Sequence, residues 1–324
     1  MPKILLTGGS GFIGSYFHRL LPQEDIVNFD LVKPTFETKA TIVVGDIRNK
    51  EEVEAVCREY PIDLVISLAA KHHDFGIEQD EYYDTNEDGT RVICEAATKA
   101  GVSKIIFYSS VAVYGLQTAC TTEASVPKPD HPYGGSKLAG EKVLEAWCSA
   151  QPNRQVIIIR PTVVYGPGNK ANMFSLINQI DRGFYFHIGE ANNIKSIAYV
   201  ENLVEATLYI LKNHDQPGVS IFNYADEPQL TTKEIATKIA ETLNKKIRFT
   251  LPLSVAISLG KPFDWIIALT GKNLPVSSSR IKKLATATQH SAPKIKEIGF
   301  KPTFSTLLGL EKMVRWYKVY KKQQ

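Results

Sequence analysis

Ile4-Leu5-Leu6-Thr7, followed at once by Gly8-Gly9-Ser10-Gly11-Phe12-Ile13-Gly14, is the stretch that decides how this chain folds. The first four residues read as a short buried strand, the glycines as a tight turn, and helical spacing then takes over in Phe12, Tyr16, Leu20 and Leu21. At a strand-turn-helix junction, glycines let backbone amides approach a pyrophosphate at the positive end of the helix. Glycines also serve ordinary turns, and it is the place between strand and helix that separates the two uses.

Outward from that turn, Ile26-Val27-Asn28-Phe29 reads as a second strand ending at Asp30. A carboxylate there accepts hydrogen bonds from the adenosine ribose and repels the extra phosphate of NADP. No arginine directly follows Asp30, although Lys33 is near, so NAD is the expected cofactor. Strand patterns recur at 42–44, 64–68, 105–108 and 156–159, with helical patterns at 51–59, 82–100 and 133–150 between them. That alternation predicts an α/β fold, a Rossmann-type doubly wound parallel sheet with a smaller C-terminal substrate-binding lobe. The expected division is 1–170 for NAD binding, with a return segment near 195–225, and 171–324 mainly for substrate.

Composition sets further bounds. The 324 residues are 44% hydrophobic and 22% charged, and a net charge of +4 is spread thinly apart from pairs such as Lys282-Lys283 and Lys321-Lys322. Nucleic acid is therefore not the expected main ligand. Cys57, Cys94, Cys120 and Cys148 lie far apart with no Cys-x-x-Cys spacing, which fits reduced thiols in a cytoplasmic protein. Residues 251–270 are apolar but broken by Lys261, Pro262 and Asp264, so they are read as buried or interfacial helix and not as a transmembrane segment. A helix over 232–243 is expected to start on a threonine cap with Glu234, and the polar tail 319–324 is expected to fray.

Tyr133-Gly134-Gly135-Ser136-Lys137 opens a helical pattern, and four-residue spacing puts the phenol and the amine on one face. A phenol ordinarily titrates near 10, so work at neutral pH asks for a downward shift of about three units, roughly 4 kcal/mol, from nearby cations. Lys137 and an oxidised nicotinamide are candidates to supply it. Ser110 ends the strand pattern in Phe107-Tyr108-Ser109-Ser110, the edge where parallel sheets hold ligands, and Ser109 is the more structural of the two serines. Catalysis is assigned to Tyr133, Lys137 and Ser110, with Ser110 also touching substrate.

Taken in order, these motifs resemble the extended short-chain dehydrogenase/reductase family, in its branch of NAD-dependent nucleotide-sugar epimerases and dehydratases. The resemblance runs through Gly8, Gly11, Phe12, Ile13 and Gly14, then Asp30, Asp46-Ile47-Arg48, Leu68-Ala69-Ala70, Asn86-x-x-Gly89-Thr90, Ser109-Ser110 to Tyr114-Gly115, Tyr133-x-x-x-Lys137 and Arg160-Pro161-Thr162-Val163. It implies that Phe12 and Ile13 cover the pyrophosphate, Asp46 and Ile47 the adenine, Leu68 to Ala70 the adenosine side, and that Asn86 and Thr162 neighbour the cofactor. It implies too that Lys137 holds the nicotinamide ribose and that helices 82–100 and 133–150 pair with their copies in a homodimer.

Three departures refine the expectation. Val111-Ala112 stand where dehydratases of this branch carry an Asp-Glu pair, so elimination of water is not expected. Val163 replaces an asparagine that contacts the substrate diphosphate in many members, which leaves a nucleotide sugar less firmly indicated. The stretch 188–203 resembles 3β-hydroxysteroid-type dehydrogenases, so plain alcohol dehydrogenation rivals epimerisation, and a non-catalytic dinucleotide-binding scaffold comes third. His72 or His73, with Asp74, follows the fourth strand as an auxiliary acid/base or a solvated loop, and no metal constellation is read.

Overall fold

A computed structural model describes residues 2–72, 78–117, 119–270 and 278–323. His73 and Asp74 lie outside them. The chain opens with β1 (Ile4–Thr7), α1 (Phe12–Leu20), β2 (Ile26–Asp30), β3 (Thr41–Val44), α2 (Lys50–Glu59) and β4 (Leu64–Ser67). There follow α3 (Gln79–Tyr83), a single π turn (Asp84–Asp88), α4 (Gly89–Ala100), β5 (Lys104–Tyr108), a 3₁₀ turn (Val111–Tyr114), α5 (Pro132–Ser149), β6 (Gln155–Pro161) and β7 (Val163–Tyr165). The second half runs α6 (Asn172–Asp181), β8 (His187–Ile188), β9 (Ile194–Lys195), β10 (Ile197–Tyr199), α7 (Val200–Asn213), β11 (Gly218–Tyr224), β12 (Leu230–Thr231) and α8 (Thr232–Leu243). It closes with β13 (Thr250–Leu251), α9 (Leu253–Thr270), α10 (Ser278–Ala285), α11 (Pro293–Glu297) and α12 (Thr306–Lys322).

Seven parallel strands form the central sheet in the order β11-β6-β5-β4-β1-β2-β3. Both faces are covered, which is why the inner strands read as unbroken apolar runs. One core layer holds Leu5, Val27, Val65, Ile105 and Ile158 against α2, α4 and α5; the opposite layer holds Leu6, Ile66, Ile106 and Ile159 against α1 and α7. Strand order reverses between β1 and β4, so a crevice opens past their carboxyl ends. The second half returns to the sheet through β11, which extends it beside β6.

A third core around Ile177, Ile235, Ile239, Leu310 and Met313 joins α6, α8 and α12 in the C-terminal lobe. Helix α8 starts as its sequence indicates: Thr231 accepts from the Glu234 amide at 3.1 Å, and Glu234 accepts from the Thr231 amide at 2.7 Å. Two elements differ from expectation. The 82–100 helix is interrupted by the π turn, and α12 continues to Lys322 because Lys321 pairs with Asp181 and Tyr320 stacks on Trp316. Cys57, Cys94 and Cys148 are buried, and burial pushes Cys57 up to about 11, so these thiols act as small apolar groups.

Beneath the sheet's carboxyl edge, Arg160 on β6 grips Glu141 on α5 through two bonds, Nε to Oε1 at 2.9 Å and Nη2 to Oε2 at 2.5 Å. Both are buried, and the carboxylate also accepts from Ser109 while the guanidinium reaches the Tyr114 hydroxyl at 2.9 Å. Removing one partner strands a charge in the core. Arg160→Met is expected to cost about 3–5 kcal/mol in urea unfolding, and a variant as stable as the parent would show the pair to be dispensable.

Candidate active site

The glycine turn is shaped by close approach. Gly8 has φ +70, and a Cβ there would fall 2.6 Å from the Ala69 amide nitrogen; a Cβ on Gly14 would meet the Gly9 carbonyl oxygen at 2.3 Å. Gly11 caps α1 in extended geometry with no side chain on the first-turn amides, leaving them for an anion. Phe12 and Ile13 begin that helix, half-buried. Asp30 closes β2, where its carboxylate accepts from the Ser10 amide at 3.0 Å and the Val32 amide at 3.2 Å, tying the turn to the next strand.

Asp46 is held by Arg48, whose Nη2 donates to Oδ2 at 2.6 Å and which lowers the carboxyl below its ordinary range. Ile47 is buried against Gly89, and Asp46 beside it is half-buried. Leu68, Ala69 and Ala70 line the exit of β4, half-buried. Val163 on β7 is exposed, and Thr162 donates its amide to Tyr224 at 3.0 Å. His72 is exposed, its Nδ1 3.4 Å from the Ala70 carbonyl.

Asn86 sits within the π turn, fully buried. It donates to the Lys71 carbonyl at 3.0 Å and to Ser136 Oγ at 2.9 Å, and accepts from the Lys71 amide at 3.0 Å. The side chain therefore joins the segment after β4 to α5, one residue before Lys137. Glycines bring the helix in: a Cβ on Gly140 would meet the Asn86 carbonyl oxygen at 2.5 Å, and one on Gly134 would meet the Ala112 carbonyl oxygen at 2.4 Å. Through Gly134 the start of α5 rests on the turn that Ser110 caps. Tyr133 and Ser110 thus belong to abutting segments.

Ser110 Oγ accepts from the Ala112 amide at 3.1 Å, which leaves its own hydrogen to donate. Ser109 is buried and bonded to Glu141, the structural partner of the pair. Tyr133 is half-buried, with its ring 6.3 Å from Tyr82. Lys137, one turn further along α5, is 1% exposed, and its Nζ lies 4.1 Å from the centre of the Phe107 ring. Burial lowers its amine to about 7 against the opposing pull of Glu141. Among the described residues no hydrogen bond reaches that Nζ.

What ligand these groups suit can be tested on the buried oxygens. Among the described residues Thr7 Oγ1 and Ser67 Oγ, at the ends of β1 and β4, and Thr162 Oγ1, just past β6, are buried without a hydrogen-bond partner. They border the crevice that the glycine turn and Lys137 share. A long ligand with a central pyrophosphate and hydroxyl-bearing ends fits such a row of donors and acceptors, which defines the class: a dinucleotide-dependent enzyme of the short-chain dehydrogenase type.

The chain belongs to the NAD-dependent epimerase/dehydratase family, whose model matches residues 4–225, and NAD is its cofactor. It is 36% identical, over 99% of its length and 97% of the relative's, to the N-acetyl-alpha-D-glucosaminyl-diphospho-ditrans,octacis-undecaprenol 4-epimerase of Escherichia coli O157:H7. It is 30% identical to the UDP-glucose 4-epimerase of Vibrio cholerae, covering 95% and 96% of the two chains. A solved structure of UDP-glucuronic acid 4-epimerase from Bacillus cereus with NAD shares the fold at a TM-score of 0.77, with 21% identity over 98% and 99%.

Sequence reasoning gave no role to Glu141, nor to Arg160 beyond its place in a motif; the two brace the site from below. Arg160 stands out as a charge closing an apolar strand pattern, whereas Glu141, among Lys137, Lys142 and Glu145, carries no local signal. A sign follows from the buried amine: a lysine lowered to about 7 makes the cofactor-free fold pay for the charged form below that value, and the cost fades as pH rises. Lys137→Met is expected to raise the melting temperature of cofactor-free protein more at pH 6 than at pH 9. Equal shifts at both values would show that the amine is not strained.

Proposed function

We propose that this chain inverts the hydroxyl-bearing carbon 4 of a sugar held through a diphosphate on a polyprenyl lipid. Tyr133, Lys137 and Ser110 are its working residues. The observation that carries the catalytic part is the buried Lys137 on the same helical face as Tyr133, with that helix seated on the turn of Ser110. For the substrate, the reading leans on 36% identity across nearly the whole length of a lipid-diphosphate sugar 4-epimerase, against 30% for a UDP-sugar enzyme. Val163, apolar and exposed where asparagine serves a nucleotide diphosphate, agrees with that preference.

When bound, NAD accepts the hydride from the sugar carbon and later returns it. Gly8, Gly11 and Gly14 would leave room for its pyrophosphate, and Asp30 would accept from the ribose. Asp46 would border the adenine, beside Leu68 to Ala70. Lys137 would donate to the nicotinamide ribose, whose oxygens favour the charged ammonium that burial alone disfavours. Tyr133 then takes the proton of the substrate hydroxyl as the carbon gives up its hydride, and Ser110 donates to the oxygen as it becomes a carbonyl. Once the keto sugar has turned over in the site, Tyr133 would return the proton to the oxygen as the carbon is reduced again on its other face. Atoms and charge balance, so no net NADH forms.

That balance separates this reading from hydroxysteroid-type dehydrogenation. Val111 and Ala112 offer no proton donor for loss of water. The cytoplasm suits an NAD enzyme with free thiols, and a homodimer through α4 and α5 accompanies the proposal.

Two outcomes test it. Tyr133→Phe is expected to lower kcat by about 10²–10⁴-fold with NAD still bound, and an unchanged kcat would remove the phenol from the mechanism. Offered polyprenyl-diphosphate-linked and UDP-linked N-acetylglucosamine in parallel, the enzyme should favour the lipid-linked sugar at least tenfold in kcat/KM, about 1.4 kcal/mol. It should do so without a rise in NADH absorbance. A preference for the UDP sugar would overturn the lipid assignment, and stoichiometric NADH would overturn epimerisation.

A further inference from the structure

Among the described residues, the exposed phenylalanine and tryptophan side chains lie in the C-terminal lobe, just before β8 and β13 and on α9. Phe184 is 74% exposed, Phe249 73%, Trp265 75% and Phe186 42%. Elsewhere the exposed large apolar residues are aliphatic and scattered, as on any soluble surface.

Local structure makes the region continuous. β8 and β13 pair in parallel through Thr250 and His187, with the His187 amide donating to the Phe249 carbonyl at 3.1 Å, so Phe186 and Phe249 stand side by side at the start of the ladder. At its far end a Cβ on Gly189 would lie 3.5 Å from Leu253 Cβ, which seats the start of α9 against the same ladder. Along α9, Val255, Leu259 and Pro262 follow at i, i+4 and i+7 and share one exposed face, with Trp265 on its flank. The buried Ala256 and the half-buried Asp264, which accepts from the Ser278 amide at 3.0 Å, lie away from it.

Charge along the chain from β13 through α9 is mostly basic, with Glu190 beside the ladder. Between residues 245 and 265 the basic side chains are Lys245, Lys246, Arg248 and Lys261, all exposed, and the acid is Asp264. Lys245 reaches Asp181 at 3.8 Å, whereas Lys246, Arg248 and Lys261 make no ion pair among the described residues. Apolar bulk with aromatic side chains, rimmed by lysine and arginine, is the composition of a surface that lies in the headgroup layer of an anionic bilayer. A second copy of the same basic face would repel it. No helix of the described residues is long and apolar enough to cross a membrane, so the contact is with one leaflet.

We propose that α9, with the β8–β13 ladder, docks this enzyme onto the surface of an anionic membrane. The physical case stands on the exposed face and its charge; the purpose, delivering the active site to a sugar anchored in the leaflet, rests on the lipid-linked reading of the substrate.

The test uses the full chain and sedimented vesicles of phosphatidylcholine alone or mixed with phosphatidylglycerol. Docking predicts that wild type pellets with the mixed vesicles, several-fold less with phosphatidylcholine, and less again as salt screens the lysines. Leu259→Glu with Trp265→Glu should lose most of that binding, and Lys246→Glu with Arg248→Glu should lose its dependence on anionic lipid. Circular dichroism and NAD binding should remain as in wild type for both. Wild type left in the supernatant, or both variants pelleting as well as wild type, would overturn docking. So would a dimer that falls to monomer in Leu259→Glu with no vesicle binding at any composition, because the face would then join two copies. If wild type pellets yet converts only UDP-linked sugar, docking holds and the substrate assignment alone fails.

Discussion

Taking an ammonium group out of water is costly, and the chain does so at Lys137 with an aromatic ring and a carboxylate as compensation. The rest of the candidate site is arranged around that burial. Asn86 clamps the residue next to it, the π turn puts Asn86 in reach, and Gly134 and Gly140 remove the side chains that would hold α5 away from the sheet. A cation without a hydrogen bond is a poor structural element but a responsive chemical one. Its charge state responds to the acceptors a ligand brings, and under the proposed mechanism that would couple binding to proton transfer.

Glu141 plays two parts in this arrangement. Its charge stabilises the ammonium across one turn of α5, and its carboxylate is fixed by Arg160 on β6 and Ser109 at the end of β5. Helix and two strands are therefore locked in register at the level where Ser110 leaves the sheet. Tyr114 and Asn223 continue the network to β11, joined at 2.8 Å, so the segment returning from the second half of the chain is tied to the floor of the site. The same lobe carries its aromatic face on α9 and the β8–β13 ladder, whose flanking Tyr185 and Ile247 pack against the apolar core built by α6, α8 and α12.

The glycine turn, Asp30 and the Tyr133–Lys137 pair were legible because each is a short-range pattern: a strand length, a turn, a helical repeat. The doubly wound parallel sheet followed from the alternation of those patterns, while the strand order came from the structure. What stayed hidden depends on partners distant in the chain. Nothing local marks Asn86 as a clamp, because its bonds go to Lys71 and Ser136 and need a π turn that no composition announces. Nor does anything local announce that the Ile47 side chain fills the space Gly89 leaves. In α9 the apolar character was plain, yet which residues face outward was settled by packing against the ladder and α10.

The central claim is that the Lys137 charge makes the Tyr133 phenol acidic beside the bound cofactor. Ultraviolet difference titration of the NAD-loaded enzyme measures this directly, by following phenolate absorbance with pH in wild type, Tyr133→Phe and Lys137→Met. One phenol in wild type should ionise well below the ordinary value near 10, vanish in Tyr133→Phe and return toward the ordinary range in Lys137→Met. Identical titrations in wild type and Lys137→Met would contradict the account.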